Sequence, residues 1–214
     1  MERKFFLSGV VALVLAPAAL RAAEPALPLD YSRHPFIRQE RSYNSGAAVL
    51  RSVLRYRGGF SGTEEEILPR LGGSMQNGTT PQAIVKAARE LGLEAEYNEN
   101  LSLKDLRKAR RRGDSVIVDL QAWSAAVESS SATWKECWED GHYVLLAGFD
   151  KDYAYFMDPA LNGGYGYIPL PEFQERWHDY EDTAGKIWRH NGLAVFLRGG
   201  KPGSSYNELL QRIK

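Results

Sequence analysis

Hydrophobic positions in the first half of the chain recur every three or four residues. From Gly46 to Tyr56, Ala47, Leu50, Val53 and Leu54 fall on one helical face, and Gly58-Gly59 ends the run. Thr63 and Glu66 form a capping-box pattern ahead of Ile67 and Leu71. Thr80-Pro81 supplies a cap and a first-turn proline before Ile84, Val85, Ala88 and Leu91, with Gly92 as the stop. Ser102 and Asp105 repeat the capping pattern before Leu106 and Ala109, closed by Gly113. Beyond Gly113 the period shortens. Ser115–Leu120, His142–Phe149, Tyr153–Met157 and Leu193–Leu197 are short β-branched or aromatic runs. Asp150-Lys151-Asp152 is short enough to join the middle two as an antiparallel hairpin. Pro169–Trp177 predicts a short helix with Phe173 and Trp177 inward. Glu208–Ile213 predicts a helical turn or two in a tail that is Gly/Ser/Pro-rich from Gly199. Helices first and antiparallel strands second predict an α+β domain with two lobes.

The N-terminus has a different pattern. Met1-Glu2-Arg3-Lys4 is basic, Phe5-Phe6-Leu7 and Val10–Ala19 are apolar, and Ala22-Ala23 precede Glu24, Pro25 and Pro28. This order predicts a secretory signal peptide over residues 1–23 and an exported protein, periplasmic or secreted. Pro17 and Arg21 cut the apolar run below the roughly 20 residues that span a bilayer, so no stable membrane span is expected after cleavage. Residues 24–35 read as a linker, 36–199 as the domain and 200–214 as a tail.

Composition narrows the choice of partner. Lys+Arg and Asp+Glu both number 27 among 214 residues, which gives no electrostatic reason to expect nucleic acid or an anionic membrane. The basic cluster from Lys104 to Arg112 falls at the end of an expected helix, where cations suit the dipole. Cys137 is the one cysteine, so no intramolecular disulfide can form. No cofactor is expected. Cys137, Asp140, His142 and Asp158 have no recognised metal-ligand spacing, so no metal is expected either.

Three short elements carry the candidate chemistry: Gln39–Ala48, Asp140–Val144 and Tyr155–Pro159. Taken singly, Ser45 reads as a helix N-cap, His142 as a structural residue, Asp158-Pro159 as a turn and Gln39 as a surface amide. Together they place a nucleophile at a helix start, a base at a strand start and an orienting acid at the end of the next strand. Adjacent hairpin strands can bring His142 and Asp158 within hydrogen-bond reach and fix the imidazole. Gln39, six residues before Ser45, is close enough to donate an amide N–H to an oxyanion. Cys137 lacks the helix-start setting, and His34, His178 and His190 read as surface or packing residues.

Tyr43-Asn44-Ser45-Gly46-Ala47-Ala48, followed by Val53-Leu54-Arg55-Tyr56, resembles the nucleophile helix of the bacteriocin-processing, double-glycine leader peptidases. Gly141–Asp150 resembles their His strand and Phe156-Met157-Asp158-Pro159 the segment bearing their Asp. Asn77–Pro81 and Gly164–Pro169 resemble features of stand-alone relatives, and the likeness runs from about Phe36 to Gly199. The resemblance implies a papain-like fold, a peptide or protein substrate, Gln39 in the oxyanion hole, His142 as base and Asp158 as its orienter. It departs at Ser45, where that family carries cysteine. A cysteine there is held as thiolate, with a pKa of about 3.5–7.5, and forms a resting ion pair with imidazolium. A serine hydroxyl cannot form that pair at rest, and its shorter bond misplaces the attacking atom. The expectation is a weak or inactive hydrolase, or a pseudopeptidase that binds a peptide or partner without cutting it.

Overall fold

Capping chemistry forms where the pattern puts it. In the computed structural model, which describes residues 25–214 except 59, 73–77, 184 and 204–209, the elements run α1 (Ser45–Tyr56), α2 (Glu64–Leu71), α3 (Pro81–Glu90), β1 (Glu94–Asn98), α4 (Leu103–Arg111) and β2 (Ser115–Gln121). There follow α5 (Ala125–Glu128), β3 (Gly141–Phe149), β4 (Tyr153–Met157), β5 (Tyr165–Pro169), α6 (Leu170–Arg176), β6 (His178–Thr183), β7 (Lys186–Asn191), β8 (Ala194–Arg198) and β9 (Leu210–Arg212). Thr63 with Glu66 and Ser102 with Asp105 make full capping boxes, and Thr80 Oγ1 accepts from Ala83 N–H. The expected signal peptide, Gly59 of the first helix stop and Asn77 of the family resemblance lie outside the described residues. Among the described residues no helix is long and apolar enough to cross a membrane.

Seven strands form one sheet in the order β1-β8-β2-β3-β4-β5-β9, and β6 pairs with β7 in a separate two-stranded sheet. Alternation on β2 divides the core between the two faces of the large sheet. Ile117 joins Leu145, Met157 and Val195 beneath α1, α2 and α3, while Val116, Val118 and Leu120 join Val144, Phe156 and Phe173 beneath α4 and α6. α1 is central, with Ala47, Val49, Leu50, Val53 and Leu54 all inaccessible to solvent. Each such Val or Leu contributes about 1.5–3 kcal/mol by burial. Even Ser52 is enclosed, its hydroxyl donating to the Pro35 carbonyl at 2.6 Å. The fold is thus α+β, as expected, with the helical half packed on the sheet.

The β3–β4 hairpin forms as expected, its turn closed by Asp150 Oδ1 accepting from the N–H groups of Asp152 and Tyr153. Three expectations need correction. The tail does not end in a helical turn: Leu210–Arg212 adds β9, parallel to β5, and Ile213 is wholly buried. Gly166 makes this possible, because a Cβ there would lie 2.2 Å from Ile213 Cγ1. Residues 25–35, within the expected linker, do not run free of the domain. Ser32 N–H binds the Ala147 carbonyl at 2.8 Å, where a register shift breaks the β3–β4 ladder, and the Tyr165 hydroxyl donates to His34 O at 2.7 Å. Finally, β1, β5, β6 and β7 appear where the sequence pattern gave no strand. Exposed or charged residues hide the period in β1, β6 and β7, as where Lys186, Ile187 and Arg189 of β7 face solvent, whereas β5 is hidden by Gly166 and Pro169, which are poor strand formers.

Candidate active site

Two layers of the fold meet at the start of α1. Ser45 is the first residue of that helix, not its cap; the cap position is Asn44, whose side chain donates to buried Glu64 instead of to the helix. Glu64 Oε2 also accepts from Glu40 N–H at 3.2 Å, so one carboxylate ties the incoming strap to the helix start. Ser45 is 7 % exposed, and its Oγ accepts from the Tyr143 backbone N–H at 3.3 Å. Gly46 permits this approach, since a Cβ there would already crowd Thr79 Cβ at 3.1 Å and Tyr143 Cδ2 at 3.3 Å.

His142 and Asp158 come together by register. Leu145 pairs with Met157, which sets Val144 opposite Asp158, and His142 is two residues further on the same face. His142 Nε2 lies 2.7 Å from Asp158 Oδ1, and both residues are buried. The same oxygen accepts from Ala160 N–H at 2.8 Å, which locks the carboxylate in the Asp-Pro turn. Nε2 is thereby committed to Asp158 and Nδ1 is left for the cavity side. Among the described residues no hydrogen bond joins Ser45 Oγ to the imidazole, although both line one cavity of about 580 Å³. Buried Arg176 adds positive charge nearby; burial lowers its pKa to about 10, with Glu172 and Asp158 acting to keep it charged.

Gln39 reaches the cavity in a different state from the expected one. Its backbone N–H binds the Pro159 carbonyl at 3.1 Å, which places it beside Asp158. Its amide, however, donates to Ser42 O at 3.1 Å, and its Oε1 is buried without a partner. One of its two N–H bonds remains for an oxyanion, beside the Ser45 N–H that the helix start leaves unpaired. Cys137 is buried, with Sγ 3.3 Å from Asp140 Oδ2. Burial, reinforced by Asp140, pushes its thiol pKa up, the opposite of a poised nucleophile.

The opposite wall is acidic. Asp119, Glu139, Asp140, Asp179, Glu181 and Asp182 all line the cavity, and no lysine or arginine does so among the described residues. Burial pushes Asp119 well above the usual carboxylate range, with repulsion from Asp179 and Glu181 adding to it. Burial, then Asp179, raises Glu181 to about 8. Burial, then His178, lowers His190 to about 4. The one sequence signal was the acidic alternation at Asp179 and Glu181, which only a strand turns toward a common side.

The crystal structure of a double glycine motif protease from an AMS/PCAT transporter, bound to its leader peptide, is similar, with 23% identity and a TM-score of 0.53 over 83% of this chain and 97% of that one. The peptidase domain of Streptococcus ComA, described as a bi-functional ABC transporter involved in a quorum sensing pathway, gives 20% and 0.54 over 78% and 98%. A putative C39-like peptidase from Bacillus anthracis gives 16% and 0.59 over 80% and 98%. At these identities the likeness establishes the fold. Comparison with curated proteins gives no match. The family assignment rests on sequence: residues 33–181 match the Peptidase C39 family, and the chain belongs to it.

Proposed function

We propose that this chain is an exported member of the family whose cavity receives an extended peptide segment, with Ser45 in the nucleophile position, His142 as base and Asp158 as orienter. As written it cleaves peptide bonds weakly or not at all. The observation that carries this reading is the buried 2.7 Å His142–Asp158 pair, kept opposite a serine whose Oγ is bound to the Tyr143 N–H and not to the imidazole. To attack, Ser45 must lose its proton to His142 during the reaction, and that needs a hydrogen bond the resting site does not have. Gln39 and the Ser45 N–H are the donors for an oxyanion. The leader peptide held by the AMS/PCAT protease supports a peptide as ligand here, and the acidic cavity wall favours segments without Asp or Glu. Export rests on the basic, apolar and small-residue order of residues 1–23.

The same observation supports a second reading, a pseudopeptidase of the cell envelope that binds a peptide or partner without turnover. Ser45→Cys in a Cys137→Ser background separates the two. The helix N-terminus and an imidazolium at His142 favour a thiolate, so a cysteine-peptidase probe is expected to label position 45. Labelling falls steeply in His142→Ala and less in Asp158→Asn, while the Ser45 parent stays unlabelled at that position. An introduced thiol with an ordinary pKa of about 8.5 removes the catalytic reading and leaves the binding one. Peptide hydrolysis by the parent that disappears in Ser45→Ala overturns the assignment of a weak or inactive enzyme.

A further inference from the structure

Three buried side chains outside the Ser45–His142–Asp158 group come together, and two of them, Asp119 and His190, lack the partners that burial demands. Asp119 is on β2 opposite Tyr143, Glu181 is on β6 and His190 is on β7. Their residues are 1 %, 7 % and 1 % exposed. Neither carboxylate oxygen of Asp119 and neither ring nitrogen of His190 makes a hydrogen bond of normal geometry, although Asp179 and the Tyr143 hydroxyl lie close enough to Asp119 to act on its titration. His190 Nε2 and Asp119 Oδ2 approach only to 3.6 Å, beyond normal hydrogen-bond range. The Tyr143 hydroxyl, which feels the charge of both carboxylates, is also left without a bond of normal geometry.

Each buried polar group without a partner costs about 1–3 kcal/mol, and more when charged. Four such atoms gather on Asp119 and His190. Careless packing does not explain them, because neighbouring groups of the same wall are well paired. Gln121 Nε2 donates to His178 O at 3.1 Å and to Asp179 Oδ1 at 2.9 Å, and Asp179 Oδ1 also accepts from Tyr180 N–H at 2.8 Å. A bound cation would satisfy the unpaired carboxylate and one ring nitrogen.

The donor set says which kind. One atom each from Asp119, Glu181 and His190 lie within 4.8 Å of one another. A tetrahedral ion with bonds of about 2.0–2.2 Å holds its ligand atoms about 3.3–3.6 Å apart, close to the 3.6 Å between His190 Nε2 and Asp119 Oδ2. Imidazole beside two carboxylates suits zinc better than calcium or magnesium, which prefer oxygen donors. Topology supports a fastening role. Asp179 pairs with His190 and Glu181 with Trp188 across the β6–β7 ladder, so Glu181 and His190 share the face turned toward β2. Asp119 and Glu181 line the cavity, so a fourth position on the ion opens toward the peptide.

We propose that Asp119, Glu181 and His190 bind one divalent transition-metal ion, best zinc, which fastens the β6–β7 hairpin to the main sheet and forms one wall of the cleft. The ligands come from three strands spread over residues 119–190, a spacing that no short motif contains. The site is separate from the nucleophile, so it stands whether or not the cleft cuts peptides.

The test uses the full chain without a histidine tag, stripped with a chelator and titrated with Zn²⁺ by calorimetry and with Co²⁺ by visible absorption. One ion per chain is expected, with a Kd of about 1 µM or tighter, and a Co²⁺ spectrum of low-coordinate type. Asp119→Asn and His190→Gln each weaken binding by about 100-fold or more, while Cys137→Ser leaves it unchanged. Should His190→Gln fold poorly, the parent still decides: zinc raises its melting temperature and slows hydrogen exchange in β6 and β7. Absent binding, or binding of equal affinity in both ligand variants, overturns the proposal. So does a stripped chain that takes no metal yet binds a lysine peptide in an Asp119-dependent way, which makes the trio a cationic-residue subsite.

Discussion

Protonation of His34 is expected to weaken the fold in mild acid by an amount that follows from its surroundings. Its imidazole is buried, with Nε2 2.8 Å from Ser115 Oγ, and that oxygen also accepts from Arg57 Nε at 3.0 Å. A hydroxyl that accepts from a guanidinium has its own hydrogen free for a neutral imidazole, whereas an imidazolium would stand beside the Arg57 charge. Burial first, and Arg57 second, lower the pKa of His34 from 6.5 to about 3. Between those values the unfolded chain binds one proton more than the folded chain. Stability is therefore complete above pH 6.5 and is lost as pH falls toward 3. At pH 5 the loss is about 2 kcal/mol, and this figure hardly changes while the folded pKa stays below about 4. Urea unfolding followed by tryptophan fluorescence, at pH 8, 6 and 5, measures it in the parent and in His34→Gln, which cannot titrate. Shared groups such as His190 and Glu181 cancel in the comparison. From pH 8 to pH 5 the parent should lose about 2 kcal/mol more than the variant. Parallel curves, within about 0.5 kcal/mol, would refute the reasoning. The consequence reaches the site, because His34 anchors the strap that carries Gln39.

Gly166→Ala should force Ile213 out of its contact, cost about 1–3 kcal/mol and expose the amides of Leu210–Arg212 to hydrogen exchange; unchanged protection there would mean that β9 does not depend on the missing side chain. Cys137, buried and with its pKa raised, should react with a thiol reagent at pH 7.5 about 100-fold more slowly in the folded chain than in urea. Equal rates would show an open thiol. Mass spectrometry of the native protein should find its N-terminus near Ala23 or Glu24, and an intact Met1 in the membrane fraction would contradict export.

Local chemistry was legible in the sequence wherever a few neighbouring residues decide the outcome. Thr63 with Glu66, Thr80 with Pro81 and Ser102 with Asp105 satisfy helix N–H groups within one turn, so their capping needs no distant partner. The β3–β4 hairpin is equally local, and from it followed the closeness of His142 and Asp158. Tertiary structure alone decided the rest. Leu210–Arg212 became a strand because β5 offered an unpaired edge and Gly166 left room for Ile213. Gln39 turned its amide to Ser42, and Ser45 Oγ accepted the Tyr143 N–H, through backbone positions set by packing of α1 on the sheet. Asp119, Glu181 and His190 meet only when a hairpin folds over β2, and the unpaired atoms of Asp119 and His190 mean nothing until burial removes water. The chain itself carries the short-range hydrogen bonds and periodicities; the desolvation that makes a buried polar atom costly, and so marks it as a site, exists only in the fold.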